Sequence, residues 1–487
     1  ITPRPRASCS RFAHDAASCQ YGGVEKAPTN RRPRMAIVAS TLARIKSDPL
    51  ACLGGNERIN DFFAKAGHAF RDCLLDPANT LGLFVLQVLH GNTAMTHLRH
   101  LVGFDVRAST YCEARGRLPV AAVANYIDSL CGDYCKSNEP SHSWLGHRVL
   151  IADATSAGTP DEPVLQDLWP QPAAQRPGCG FPAIKLLGLL DLATGMVVQL
   201  ALMSMNVHEM SQLPGLHAAL RAGDVLLADR GFCSFWHLAM LRNASVFALF
   251  RMHQQQNVDF TPNRPHRAKR GKRAKLGMPT SRYVRRLGRE DQLVEWARPP
   301  KRPRWMTAAA YALIPETLLV RELRYTIVIR GRRTRGVTIA TTLVDAVRYP
   351  KREVARLYGL RWEIETNFRH LKSTMRMDHL KCKSVDGVIK ELMIFVLVYN
   401  LIRAAMTLAA ARQDVDANRV SFIDALRWLC ACGRAAATPG PVELIVNPLR
   451  IGRWQARVLK RRIKPYDLMN RPRREYLEPS APEEVIA

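Results

Sequence analysis

The stretch "YGLRWEIETNFRHLK", residues 358–372, governs how the rest of the chain is read. On an α-helix advancing about 100° per residue, with Tyr358 at zero, Arg361, Glu365 and Lys372 fall at roughly −60°, −20° and −40°. The four share one narrow stripe. Leu357, Leu360, Ile364, Phe368 and Leu371 cluster between about −80° and −160°, the core-facing side of an amphipathic helix. The polar stripe therefore flanks a buried face. A surface ion-pair ladder has the same spacing, since Glu365 can reach Arg361 at i−4 or Arg369 at i+4. Glu363 falls about 140° from Tyr358, away from the stripe, which makes Glu365 the candidate functional carboxylate.

Composition narrows the class. At 487 residues the chain is long enough for about two or three domains, and its 47% hydrophobic content excludes a wholly disordered protein. Lys and Arg number 71 against 42 Asp and Glu, leaving a net charge of +29. Such an excess is an electrostatic footprint for a polyanion, nucleic acid first, although a cationic surface kept for solubility gives the same sum. The 12 cysteines are scattered and read as reduced thiols. Cys131, Cys135, His142 and His147 loosely imitate a zinc site, but their spacing departs from zinc patterns and crosses a polar loop. The apolar run 392–411 is interrupted by Asn400 and Arg403, where a charge at membrane depth is costly, so a buried helix is expected. Residues 1–34 are polar, Arg-rich and aperiodic, and read as a disordered leader or as translated upstream sequence ahead of Met35.

Residues 35–142 read as an N-terminal helical domain, with helices expected over 80–91, 92–103 and from 109. Thr110 and Glu113 stand in capping-box spacing. The domain either enters a DNA groove or serves as helical packing. The texture then turns to strands. "HRVLIADAT" is a β-run ending at Asp153, "LLGLLDLATGMVVQLALM" is two strands about a turn at Asp191, and "DVLLADRGF" is a buried strand ending at Asp229. Helices are expected over 208–220 and 235–243, with another strand in "SVFALF". Three strands, helix, strand, helix, strand imply a mixed sheet with helices packed on it. From 254 to 335 a basic block beginning at Arg264 precedes strand-like runs, "YALIPE" and "RYTIVIRG" among them. This span reads as an inserted basic, partly β subdomain. The core resumes with "GVTIATTL", and one long helix then carries the opening stretch. Residues 413–487 form a basic C-terminal region, a loosely held tail for DNA.

Asp153 and Asp229 each follow an apolar strand, at the carboxyl end where a sheet presents its crevice. Either alone reads equally as a turn former. Asp191, inside its hairpin, fits that turn role better. Glu365 would arrive from a helix packed beside the sheet. Three converging carboxylates repel unless a cation lies among them, and hard oxygen donors select Mg²⁺ or Mn²⁺. Two such ions can activate a water or hydroxyl and stabilise the leaving oxygen at a phosphodiester. Tyr358, Arg361 and Lys372 would contact DNA phosphates.

"LLADRGF", the run 341–372 and "MDHLKCKSVDGVIKELMIFVLVYNLIR" together resemble the DDE transposases of bacterial insertion sequences, and more narrowly the insertion-sequence-four family. That family's signature, Tyr, two residues, Arg, three residues, Glu, six residues, Lys, is met by Tyr358, Arg361, Glu365 and Lys372. The resemblance, over roughly residues 80–475, implies a ribonuclease-H-like α/β catalytic domain at 145–253 and 336–412, with 254–335 inserted. It implies that Asp153, Asp229 and Glu365 form the catalytic, metal-binding triad. It further implies nicking at the element's terminal repeats, attack of the freed 3′-hydroxyl on target DNA, often through a hairpinned end, and a homodimer on DNA in the bacterial cytoplasm, at the nucleoid. Relatives can stack a Trp from the insertion on a flipped base; Trp296 and Trp305 are the candidates there, and packing explains either. The competing readings are a decayed or domesticated transposase that only binds DNA, and a nuclease that cuts without joining.

Overall fold

The computed structural model describes residues 55–102, 104–137, 144–266, 279–327, 335–431, 443–448 and 467–477. The expectations for residues 1–34 and for the basic block beyond 266 lie outside them. The N-terminal part is helical: α1 (Asn56–Lys65), α2 (Pro77–Leu89), α3 (Ala108–Arg117) and α4 (Val120–Ser137). Asp76 caps α2 through the Asn79 N–H, with Pro77 at the first helical position, where a missing N–H costs nothing. The helix expected over 92–103 is a 3₁₀ segment, Met95–His100, entered through Asn92 at φ 53°. The capping box expected at Thr110 is not formed: α3 begins after Arg107 without a side-chain cap, and Glu113 pairs with Arg117 at 3.9 Å.

The strands follow: β1 (Val149–Gly158), then α5 (Pro163–Leu168), β2 (Ala183–Asp191), β3 (Val197–Ser204), β4 (Val225–Ala228), α6 (Phe235–Asn243) and β5 (Phe247–Arg251). Residues 208–220, expected as one helix, form two 3₁₀ segments, Glu209–Ser211 and Leu213–Ala219; Pro214, with no N–H, sits in the second. Next come β6 (Arg282–Gly288), β7 (Asp291–Ala297), α7 (Ala308–Ala312), β8 (Thr317–Ile327) and β9 (Arg335–Thr341). "YALIPE" is the end of α7 and a loop rather than a strand; β8 starts only after Pro315. The nine strands among the described residues belong to one sheet, in the order β3-β2-β1-β4-β5-β9-β8-β7-β6. β1, β4 and β5 run parallel and their other neighbours antiparallel, so the fold is mixed α/β. Strands β6 to β8, from the span read as an insertion, thus extend the sheet that holds β1. Arg264, the first residue of the basic block, is buried and donates to the carbonyls of Asp259 and Ser281.

The chain ends in α8 (Lys351–Gly359), α9 (Glu363–Arg369), α10 (Val385–Gln413), α11 (Phe422–Ala431) and the short α12 (Arg473–Leu477). α10 is long and apolar enough to cross a membrane, but 83% of its most apolar window is buried in the protein, as expected for 392–411. Asn400 binds both backbone groups of Val197 at 2.9 Å, and Arg403 donates to the Thr194 carbonyl at 2.7 Å, so both polar residues tie α10 to β3 and its turn. Part of the basic C-terminal region is also anchored: Arg473 ion-pairs with Asp161 at 2.6 Å.

Two cores sandwich the sheet. Val149 and Ile151, Val225 and Leu227, and Leu249 pack beneath α2, α4, α8, α9 and α10. The intervening Leu150 and Ala152, Leu226 and Ala228, and Ala248 and Phe250 pack against α6 and the inner residues of β7 and β8. Burial on both faces gives β4 its continuous apolar run.

Candidate active site

The period-2 alternation of strands fixes which way the next residues point. β1 and β4 pair up to Ala152 opposite Ala228, and β4 and β5 up to Ala228 opposite Phe250. One residue further, Asp153, Asp229 and Arg251 stand in a row, on the face that carries α9. β1 does not end at Asp153 as expected; it runs to Gly158, paired with β2 throughout. What ends there is β4, and its ending opens the crevice beside Asp153.

The signature segment is not one helix. α8 stops at Gly359, a 3₁₀ turn spans Leu360–Trp362, α9 follows, and a π-helical turn covers His370–Thr374. The constant 100° step fails across these joints, so the stripe divides. Arg361 and Glu365 stay together, Arg361 Nη2 lying 3.3 Å from Glu365 Oε1. Arg361 Nη1 reaches Asp153 Oδ2 at 3.1 Å, so one guanidinium joins the strand carboxylate to the helix carboxylate. Tyr358 is buried and its hydroxyl donates to the Ala228 carbonyl at 3.4 Å, below Asp229 rather than at the surface. Lys372 sits in the π turn, and among the described residues its ammonium has no hydrogen bond or ion pair; burial lowers its pKa and Asp378 opposes that. Glu363 turns away toward Arg403, in keeping with its place on the wheel.

Packing sets how closely α9 approaches. Gly188 of β2 lies directly opposite Asp153, and a Cβ there would meet the Phe368 ring at 3.0 Å. The missing side chain lets α9 settle onto the sheet with Glu365 over Asp153.

Burial dominates Asp153 and raises its pKa to about 6, against the pull of the Ala154 N–H and Arg361 and with the push of Asp229 and Glu365. Among the described residues, Asp229 Oδ1 is buried without a hydrogen-bond partner. Among the described residues, no three His, Cys, Asp or Glu side chains stand close enough together to hold an ion as they are. The donor set still suits a hard divalent ion, since all three carboxylates act on the one Arg361 guanidinium and Asp229 has the orphaned oxygen. Asp153, Asp229 and Glu365 are the residues that could hold it.

Beside the row lies a cavity of about 170 Å³ lined by Arg230, Arg251, Arg324, Gln254, Gln256 and Thr338, among others. Arg230 donates to Gln254 at 2.9 Å and Arg324 to Thr338 at 3.0 Å, while Arg251 takes no hydrogen bond or ion pair among the described residues. Sequence reading missed these cations, although Arg251 continues the same alternation as Phe247 and Leu249. It also passed over Trp362, 62% exposed, with Arg361 over its ring at 5.5 Å. The two Trp weighed instead are packed: Trp296 donates to the buried Glu322 at 3.0 Å, and Trp305 stacks on His237 at 5.3 Å. Of the zinc-like set, His142 and the Cys135 side chain lie outside what is described, and the other two are used otherwise. His147 bonds Gly223 O and Tyr349 Oη, and Cys131 takes the Asn400 amide. The turn role holds for Asp191, which accepts from both the N–H and the hydroxyl of Thr194.

Residues 144–401 match the family described as a transposase DDE domain. The chain is similar to transposase InsG for insertion sequence element IS4 of Escherichia coli (strain K12), 24% identical over 376 residues, which cover 73% of this chain and 77% of that protein. Among solved structures, the cryo-EM structure of the piggyBac transposase synaptic complex with hairpin DNA aligns at a TM-score of 0.42 and 11% identity, covering 81% of this chain and 79% of that one.

Proposed function

Since this chain belongs to the transposase DDE domain family, a class of DNA-cleaving and strand-transferring enzymes, we propose that it is the transposase of an insertion sequence that cuts and joins the element's terminal inverted repeats at Asp153, Asp229 and Glu365. The observation that carries the reading is the junction itself: strand-borne Asp153 and helix-borne Glu365 meet through Arg361, 208 residues from Asp153 in sequence, beside the orphaned oxygen of Asp229. The sheet and its flanking helices then form a ribonuclease-H-like core, 145–253 with 336–412, into which 254–335 is inserted.

Asp153, Asp229 and Glu365 would hold Mg²⁺ or Mn²⁺, two ions in the working complex. Such ions supply an activated water or hydroxyl and charge stabilisation at the leaving oxygen. The protein's own groups do the rest. Arg361 presents a buried guanidinium to the phosphate of the strand being cut, and Lys372 a second cation. Tyr358 supports the end of β4 from below and so positions Asp229. Trp362 offers an exposed ring on which a base can stack. The arginine-lined cavity continues the phosphate path beyond the cut. Residues 35–142 would bind the repeats, 413–487 would add non-specific affinity, and two copies would act together on the DNA in the bacterial cytoplasm, at the nucleoid.

The test is nicking of supercoiled DNA carrying the element's two ends, in Mg²⁺ or Mn²⁺. Glu365→Ala is expected to abolish nicking and joining yet leave end binding within a few-fold, because it removes a metal ligand and no phosphate contact. Tight binding by the wild-type protein with no nick in either metal would select the decayed, DNA-binding-only reading. Nicks without joined products would select a simple nuclease.

A further inference from the structure

Arg361 is held differently from the other buried arginines of this fold. Arg321, 1% exposed at its side chain, forks onto one carboxylate, Asp291, at 2.8 and 2.6 Å and donates again to the Tyr349 carbonyl at 2.7 Å. That is a short, bidentate, structural arrangement. Arg361 instead gives one longer contact to each of two carboxylates on two different elements, 3.1 Å to Asp153 and 3.3 Å to Glu365, and its Nε is buried with no partner among the described residues. Its surroundings are open on one side, since the Glu365 side chain is 46% exposed and Trp362 more so. A guanidinium so placed has unused donors and a way out.

We infer that Arg361 is a displaceable counter-ion: in the free protein it neutralises Asp153 and Glu365, and it transfers to a DNA phosphate when the strand enters, which frees both carboxylates for the divalent ion. The inference rests on the metal-binding reading of the three carboxylates. Its consequence is a coupling that reading does not contain. A cation within a few ångströms of the ligands opposes a second cation, so metal binds weakly without DNA. Removing Arg361 to a phosphate removes that opposition, and by linkage the metal tightens DNA binding by the same factor. Arg361 is then a positioning residue for the triad as well as a phosphate contact, and metal cannot be firmly held before the substrate has arrived.

The experiment is Mn²⁺ binding to metal-free protein, followed by the resonance of free Mn²⁺ and by calorimetry, with and without a duplex spanning one end of the element that encodes the chain. Coupling energies between sites are commonly 5- to 150-fold, so the duplex is expected to tighten Mn²⁺ roughly tenfold or more in the wild type. Arg361→Gln is expected to bind Mn²⁺ about tenfold or more tightly than wild type without DNA, and to lose the response to DNA. Arg361→Gln affinity equal to or weaker than wild type, with no effect of DNA in either, would overturn the proposal. If the Gln variant does not fold by circular dichroism, Arg361→Met carries the test. It keeps an apolar stem without the charge, so Mn²⁺ should again bind more tightly than in wild type, and no change would count against the proposal. Glu365→Gln separates the two readings. If it leaves wild-type Mn²⁺ binding untouched, the metal is not on the triad and the underlying assignment fails; if it weakens binding while Arg361 variants change nothing, only the counter-ion role fails.

Discussion

Asp153 carries its charge at a cost, because it is buried. Burial sets its folded-state pKa at about 6, above the ordinary 3.8. The protonated form therefore favours folding: its contribution to stability is whole below about pH 4 and is lost as pH rises through about 6. Metal-free wild-type protein is expected to lose melting temperature relative to Asp153→Asn across that window, and thermal melts on a pH series check it. Ion binding needs the ionised form, so Mn²⁺ affinity should rise over the same window. Asp153, Asp229 and Glu365 were readable as candidates because two follow apolar strands and one lies on the stripe of a patterned helix. Arg251 was not, although it follows the same alternation. A cation at a strand end carries no chemistry until its neighbours are known, and its neighbours are set by strand order.

At the scale of elements, the signature segment and β2 decide how the site closes. An unbroken helix was the natural expectation from the apolar spacing, yet the chain uses a 3₁₀ turn before α9 and a π turn after it; Tyr358 faces inward onto the Ala228 carbonyl, and Lys372 lies within the π turn. Inserted π turns recur at functional positions, where they re-aim a side chain within a helix. Gly188 supplies the complementary feature on the sheet. Gly188→Ala would press a methyl into Phe368, a ring that is itself packed in the core, and α9 must lift by a few tenths of an ångström. The expected result is a loss of about 1–3 kcal/mol in denaturant unfolding and a fall in nicking rate of tenfold or more, because catalytic geometry tolerates less displacement than folding does. Equal stability with unchanged nicking would show that α9 does not depend on this contact.

The whole molecule is held together through α10, to which both the N-terminal helices and the sheet attach. Buried Lys390 donates to the carbonyls of Arg115, Gly116 and Leu118, taking up the end of α3, while Glu391 accepts from the backbone of Lys381 and Cys382 and from Asn92 at 2.6 Å. Lys390→Met keeps the apolar stem and strands three carbonyls, so a loss of about 1–3 kcal/mol in urea unfolding is expected, with metal binding at the carboxylates unchanged. None of these pairings was legible beforehand: Lys390 and Glu391 are adjacent in a run that reads as an ordinary helix, and the partners that join them to the N-terminal helices, Arg115, Gly116, Leu118 and Asn92, lie far away in sequence. Local sequence was enough for the elements built by alternation, for the mixed α/β class and for the burial of 392–411, and it nominated the carboxylates of the candidate site, since those follow from periodicity and side-chain chemistry along one segment. It could not set the interruptions of the signature helix, the joining of β6 to β8 to the same sheet, or the meeting of Asp153 with Glu365 through one arginine. Those are choices among competing long-range contacts, and packing makes them only when the whole chain is folded.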